Sequence, residues 1–169
     1  YTLARDAAGW TVSSGAADTD TLRSIERVRF ADKALAVDTA VDGNAGQVAQ
    51  ILRALFGASA IANPTFAGIG LSLRDAGMGY ADIVALAIGT PIFEQLAGSR
   101  SNTDFVRLVY KNVIGSDASP EALAQFVGLL DNGTYTQAAL RLLACQIEFN
   151  TQSVELVGLA NTGLEFVPG

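Results

Sequence analysis

The sequence predicts an α+β fold: a short N-terminal β segment followed by a mainly helical bundle built on a duplicated motif. Three observations predict it. Near the start, apolar residues alternate with polar ones, at Tyr1 and Leu3, Trp10 and Val12, and Val28 and Phe30, which is the period of a strand with one covered face. From Gly46 onward the apolar spacing lengthens to about 3.6 residues, the period of a helix with one covered stripe. Two stretches, "VAQILRALFGASAIANPTFAGIGLSLRDAG" and "FVRLVYKNVIGSDASPEALAQFVGLLDNG", then run through helix, Gly, Pro, helix and Gly in the same order.

The β part reads as two short runs in "YTLARDAAGWTVSSG", split by the turn-like "DAAG", with a further pair at Arg27–Ala31 and Leu35–Val37 around "ADK". Side chains alternate across a strand, so Val28 and Phe30 share one face and Arg27 and Arg29 the other. The cluster Arg23, Arg27 and Arg29 is expected on the solvated side. So few strands cannot stand alone. Residues 1–41 are therefore expected to be the end of an upstream β region, and 42–169 a helical domain that folds on its own stripes.

Within that domain the halves run over about 46–98 and 103–157. Val48, Ile51, Leu52, Leu55 and Phe56 form the first stripe, ending at Gly57. A second helix starts near Pro64 with Phe66, Ile69 and Leu73 inward, and stops around "DAGMG". A third carries Tyr80, Ile83, Val84 and Ala87, and a short fourth Ile92, Phe93 and Leu96. In the second half Phe105, Val106, Val109 and Val113 form a stripe ending at Gly115. Ser119-Pro120 is an N-cap followed by Pro at the first helical position. Leu123, Phe126, Val127 and Leu130 point inward, and Asn132-Gly133 marks a helix stop. Ala139, Leu140, Leu143 and Ile147 define the next helix, and Val154 and Val157 the last.

Composition narrows function. The chain has 11 basic and 17 acidic residues, a net charge of −6, which disfavours nucleic acid, whose binding needs a basic footprint. There is no His and one Cys, Cys145, in the apolar run "ALRLLACQIEF". Serine and cysteine triads and multi-cysteine metal sites are thereby closed, and Cys145 is expected to be a buried thiol. Between Arg53 and Arg74 the chain is uncharged, but Asn63-Pro64 interrupts the stretch. Two helices joined by a turn account for it better than a membrane span, where the break would leave backbone groups unsatisfied.

"DTAVDGNAG" offers Asp38, Asp42 and Asn44 as calcium ligands, but counting from Asp38 puts Ala40 and Ala49 where an EF-hand loop requires ligands. A turn at Asp42-Gly43 that caps the following helix is the competing reading. Asp18 and Asp20 in "GAADTDT" are candidates for a residual β-roll calcium site, against plain turn chemistry. Neither they nor Asp117 with Glu121 has a nucleophile or contrasting environment to make an acid–base pair. "GIGLSL" lacks the third glycine and preceding strand of a dinucleotide fingerprint, and "NGT" at Asn132 is a glycosylation match or a helix stop. No catalytic or cofactor-binding residue emerges, and the cofactor expectation is none, or weakly bound calcium.

"DTLRSIERVRFADKALAVD" followed by "DGNAGQ" resembles a junction of secreted, repeat-bearing bacterial proteins, in which a strand pair closes a β region before a helical domain. The helical part over about 44–160, notably "FVRLVYKNVIGSDASPEALAQFVGLLDNGTYTQAAL", resembles domain of unknown function 4214, a helical module similar to phycobilisome linker domains. The first half departs from it, through an insertion in "FGASAIANPTFAGIGLSLRDAG" and the lack of an acidic helix start. The resemblance implies an extracellular or cell-surface setting, often with type I secretion, and carries over no catalytic residue; "LANTGLEFVPG" would then be a natural C-terminus. The expected role is a non-catalytic structural or interaction module at the end of a large secreted or cell-surface protein, of adhesin or surface-layer type. The rival is an accessory domain of a secreted hydrolase whose catalytic part lies upstream. Expected partners are the upstream β region, further copies or other surface proteins, with no nucleic acid and no membrane span.

Overall fold

The computed structural model describes residues 1–6, 9–15, 18–155 and 158–169 of the chain. Among them the order is β1 (Thr2–Asp6), β2 (Gly9–Gly15), β3 (Asp18–Leu22), β4 (Arg27–Arg29), β5 (Ala34–Ala36), α1 (Asn44–Phe56), a 3-10 turn (Ala58–Ala62), α2 (Pro64–Asp75), α3 (Tyr80–Ile88) and α4 (Pro91–Ala97). There follow α5 (Asn102–Ile114), α6 (Pro120–Asp131), α7 (Gln137–Gln146), α8 (Glu148–Glu155), α9 (Leu159–Thr162) and β6 (Leu164–Phe166). The α+β expectation is met, with helices forming the body. No described helix is long and apolar enough to cross a membrane.

The strands form two antiparallel sheets, β1-β2-β3 and β4-β5-β6. The first lies on the outside. Its one buried side chain among the described residues is Trp10, which donates from Nε1 to the Val37 carbonyl at 3.2 Å. Arg5 lies over the Trp10 ring and donates to the Ala160 carbonyl. The turn read at "DAAG" includes Ala7 and Ala8, outside the described residues, but β1 and β2 pair across it from Asp6↔Gly9 to Thr2↔Ser13.

The second sheet belongs to the body. β5 is its middle strand, with Leu35 opposite Val28 on one side and opposite Glu165 of β6 on the other. The C-terminal "LEF" is thus a strand that the sequence reading did not foresee. Ala34 and Ala36 of β5 and Leu164 and Phe166 of β6 pack with Ala45, Val48, Ala49 and Leu52 of α1 and Ala67 and Leu71 of α2. The division at 41/42 therefore passes through a shared core. On its opposite side α1 sends Ile51, Ala54 and Leu55 into a second cluster with Ile83, Phe93, Phe105, Val109 and Leu140. Each large side chain so buried contributes about 1.5–3 kcal/mol.

The helix signals hold at their ends. Gly57 and Gly115 follow α1 and α5 with φ of +93° and +86°, a region open to Gly at no steric cost. Ser119 accepts from the Ala122 N–H, and Asn63 from the Thr65 and Phe66 N–H groups. Some stripes turn differently. Ile69 is exposed because α2 presents its small face, Ala67 and Gly68, to the C-terminal segment; a Cβ on Gly68 would stand 2.1 Å from the Val167 carbonyl oxygen. Leu143 and Ile147 are exposed because α7 buries the line of Leu140 and Cys145 instead, and Ile92 and Leu96 of α4 flank a buried Phe93. Val154 lies buried in α8, while Val157 lies outside the described residues.

Candidate functional site

The loop from β5 to α1 carries three of the five calcium candidates, and an arginine engages the main one. Asp38 accepts from Arg27 Nη1 at 2.5 Å through Oδ1 and from the Asn44 backbone N–H at 3.1 Å through Oδ2. Arg27 also forks onto Asp75, Nε to Oδ2 at 3.0 Å and Nη2 to Oδ1 at 2.6 Å, and Asn44 Nδ2 donates to Asp75 Oδ1 at 2.9 Å. A guanidinium thus stands between two carboxylates, where a bound cation would stand. Burial lowers the Arg27 pKa, but hydrogen bonds to Asp75 and then Asp38 more than offset it, so the net direction is up.

The helix-capping role expected of Asp42-Gly43 falls to Asp38. Gly43 occupies the N-cap position without a side-chain bond, and the Asp38 carboxylate reaches forward to the first N–H of α1. Asp42 is exposed, and its carbonyl accepts from Gln47 Nε2 at 3.2 Å. Asp18 and Asp20 sit exposed on β3, where Asp18 accepts from the Ser14 hydroxyl at 2.9 Å. Among the described residues no group of three or more His, Cys, Asp or Glu side chains converges on one point. Arg23 and Arg29 are exposed as expected, but Arg27 is half-buried in its network; sequence alone offered no sign of Asp75 as its partner.

The remaining polar candidates resolve into local structure. Asp117 pairs with Lys111 at 3.0 Å, whereas Glu121 lies in the first turn of α6, held low by its own backbone N–H and then by Ser119. Asn132 accepts from the Thr134 N–H at 2.9 Å, closing the turn after α6. Cys145 is fully buried; burial pushes its thiol up to about 12, against a smaller opposing hydrogen bond with Tyr80. A thiol so raised is not a nucleophile near neutral pH.

Two apolar clefts are the features that the sequence reading missed. The first, of ≈ 130 Å³, lies among α1, α2 and α3 and reaches the start of α4; the second, of ≈ 110 Å³, lies among α5, α6 and α7. The helices around them match in length: α1 and α5 have 13 residues each, α2 and α6 12 each. The linings correspond along α1 and α5 and along the third helices, whereas α2 contributes Phe66, Ile69, Gly70 and Leu73 and α6 contributes Phe126. Val48 matches Val106, Ile51 Val109, Leu52 Tyr110 and Phe56 Ile114, and from the third helices Ile83 matches Leu140, Leu86 Leu143 and Ala87 Ala144. Thr90 and Ile147, each just before the next helix, correspond as well. Gly70 in the first cleft answers to Phe126 in the second, whose ring packs on Tyr110 at 6.1 Å. Leu86 and Leu143 stand exposed on equivalent lips. The uncharged stretch from 54 to 73, read above as two helices joined by a turn, is the sequence signal that points here.

Residues 86–151 match the model of a family described as a domain of unknown function (DUF4214). The match runs from the end of α3 into α8 and so takes in the whole of the second cleft's helices, a shorter span than the 44–160 of the sequence resemblance. No curated protein and no solved structure matches the chain.

Proposed function

We propose that this chain is a non-catalytic structural or interaction module of a large secreted or cell-surface bacterial protein, and that sheet β1-β2-β3 is where the rest of the assembly joins. The observation that carries this is the sheet's position. It stands outside both cores, solvated on most of both faces, with one side of β1 and one side of β3 unpaired by described strands. Three short strands of this kind are marginal by themselves, and open edges accept further strands. An upstream β region of the same polypeptide is the partner that continues it without an association cost. The sequence resemblance of the helical part to a module similar to phycobilisome linker domains is a further support for a role in holding larger assemblies together rather than in chemistry. No cofactor is needed for such a role; at most calcium binds weakly at Asp18 and Asp20.

Hydrogen exchange tests the joining surface. Amides of β1 and β3 are expected to exchange fast in this chain and to gain strong protection in the full-length parent protein; equal rates in both would overturn the reading. Location is tested by fractionating the producing bacterium. The parent protein is expected at the surface or in the medium, and recovery from the cytosol alone would refute it.

A further inference from the structure

We propose that the first cleft is a self-docking face, through which two copies of this chain meet about a two-fold axis with Leu86 of each entering the cleft of the other. Three features carry the inference. The cleft has a volume of ≈ 130 Å³, on the scale of the apolar cavity of about 150 Å³ that admits a benzene ring, so it accommodates one large apolar side chain rather than a long ligand. Its lips carry such side chains, since Ile69, Leu86 and Ile92 are all exposed. A surface that bears both the hole and the protruding group is self-complementary, which an isologous two-fold contact demands.

Charge selects the second copy as the occupant, and the first cleft over its counterpart. The chain carries −6 overall, so two copies repel unless they meet where charge is missing. Residues 54–73 and 83–93, which supply α2 up to its last two residues, most of α3 and the near lip of α4, contain no charged side chain. Over residues 44–101, Arg53, Arg74 and Arg100 balance Asp75, Asp82 and Glu94. The second half, over 103–157, has six carboxylates against Arg107, Lys111 and Arg141, so pairing two second clefts sets like charge against like. Interfaces are depleted of charge at their centres, and exposed apolar patches on charged chains mark contact sites. Gly70, where the second half has Phe126, adds no side chain to the first cleft and lets α2 approach Val48 of α1 closely.

Sedimentation velocity of the 169-residue chain over a rising concentration series tests this. A dimer is expected to form with concentration and to strengthen modestly with salt, as residual repulsion is screened. Leu86→Glu is expected to weaken it more than about ten-fold, and Ile69→Lys on the facing lip likewise. Leu143→Glu, the same change at the equivalent place of the second cleft, is expected to leave it intact. Far-UV circular dichroism and thermal unfolding should be unchanged in all three, because the altered side chains are exposed. A wild type that stays monomeric throughout overturns the proposal, as does a dimer that survives Leu86→Glu or one that Leu143→Glu abolishes equally. Binding to phosphatidylcholine vesicles that depends on Leu86, without dimerisation, would assign the face to lipid and also overturn it. A dimer lost only on deleting residues 1–22 would belong to the sheet edges, which refutes self-docking here while leaving the proposed joining role standing.

Discussion

α1 and α5 share length, register and place in their halves, yet they occupy different environments. α1 is buried on nearly every side, with Ala45, Val48, Ala49 and Leu52 toward sheet β4-β5-β6 and α2, and Ile51, Ala54 and Leu55 toward α5 and its neighbours. α5 buries one stripe, Phe105, Val106, Val109 and Val113, while Arg107 and Lys111 face water. Place for place, Ala45, Gly46 and Ala49 become Thr103, Asp104 and Arg107. A helix with one charged residue in thirteen, Arg53, is suited to burial all round; one with a charged face is suited to a surface. The comparison teaches that one helical plan serves as centre or as wall, according to whether a sheet lies on its outer face.

The largest effect that this comparison predicts comes from removing the sheet. A chain beginning at Asp42 lacks Ala34, Leu35, Ala36 and Val37, all buried, and so takes the middle strand of its sheet out of one of the two cores that α1 joins. The sequence reading expects such a chain to be soluble and helical. The shared core reverses that expectation, because two or three large burials at about 1.5–3 kcal/mol each are a large part of a total stability of about 5–15 kcal/mol. Thermal unfolding by circular dichroism should show no cooperative transition for 42–169. A chain beginning at Glu26 keeps β4-β5-β6 and should retain one at a lower midpoint. Cooperative melting of 42–169 at the wild-type midpoint would make the sheet a passenger and break the comparison.

Glycine substitutions should carry opposite signs in the two halves. A Cβ on Gly46 would lie 1.9 Å from the Ala40 carbonyl oxygen, whereas nothing lies within 4 Å of one on Gly128 in α6. Helix propensity favours Ala over Gly by about 1 kcal/mol at either site. At Gly46 the clash is with backbone and cannot be relieved by a rotamer change, so Gly46→Ala is expected to destabilise by about 2–3 kcal/mol. Gly128→Ala is expected to stabilise by about 0.5–1 kcal/mol. Chemical denaturation of both variants reads the two signs. A stable Gly46→Ala protein would show that α1 is less tightly held than the packing implies.

These contrasts also mark how far the sequence could be read. Helix ends were legible because their signals are local: Gly57, Asn63-Pro64, Gly115 and Ser119-Pro120 each act on the adjacent turn. Strand β6 was not, since three residues show no period and its partner β5 lies far away along the chain. The inward faces of α2 and α7 were misjudged because Ile69, Leu143 and Ile147 follow helical spacing as well as the buried set does. What decides between them is how closely Gly68 lets Val167 approach, a tertiary fact. At the loop, the sequence marks Asp38 and Asn44 only as calcium candidates, and in the structure the Asn44 N–H donates to Asp38. Their partners Arg27 and Asp75 come from β4 and the end of α2, and no spacing rule joins those positions.

The Arg27 network is a third place to sharpen the comparison, since it ties the sheet to both α1 and α2, whereas at the start of α5 the Asn102–Asp131 bond repeats that of Asn44 to Asp75 with Gln137 donating to Asn102 in place of the arginine fork. Replacing Arg27 with Met leaves Asp38 and Asp75 facing each other unpaired. Both carboxylates retain some solvent, so the cost is expected at about 1–2 kcal/mol, below that of breaking a fully buried pair. Calcium should not stabilise the wild type, whose carboxylates already hold a cation. A rise in melting temperature with calcium in the wild type, lost in Asp38→Ala, would show that the ion displaces Arg27.

The smallest effect is expected in acid, at helix starts that differ between the halves. α2 is capped by the Asn63 amide and has no acidic residue in its first turn, so nothing there titrates. In the second half, hydrogen bonds from Ser99 and then Ser101 hold the Asp104 carboxyl of α5 below its ordinary 3.8. Glu121 of α6 is held below 4.5 by its own backbone N–H and then by Ser119. A carboxyl whose folded pKa is depressed stabilises the fold above its unfolded value, and that contribution is lost as pH falls through the folded value. The support is therefore complete above about pH 5 and fades below the range of these two ordinary values. Glu121 is exposed and Asp104 only half-buried, so the loss is local fraying rather than unfolding, and salt should diminish it further. Amide exchange followed by NMR between pH 6 and pH 3, corrected for intrinsic rates, should show protection falling in the first turns of α5 and α6 while the first turn of α2 holds. Ser99→Ala should weaken the acid response at the α5 start, leaving the part that Ser101 supports. Equal acid sensitivity at α2, or none at α5, would mean that these carboxylates do not distinguish the two halves.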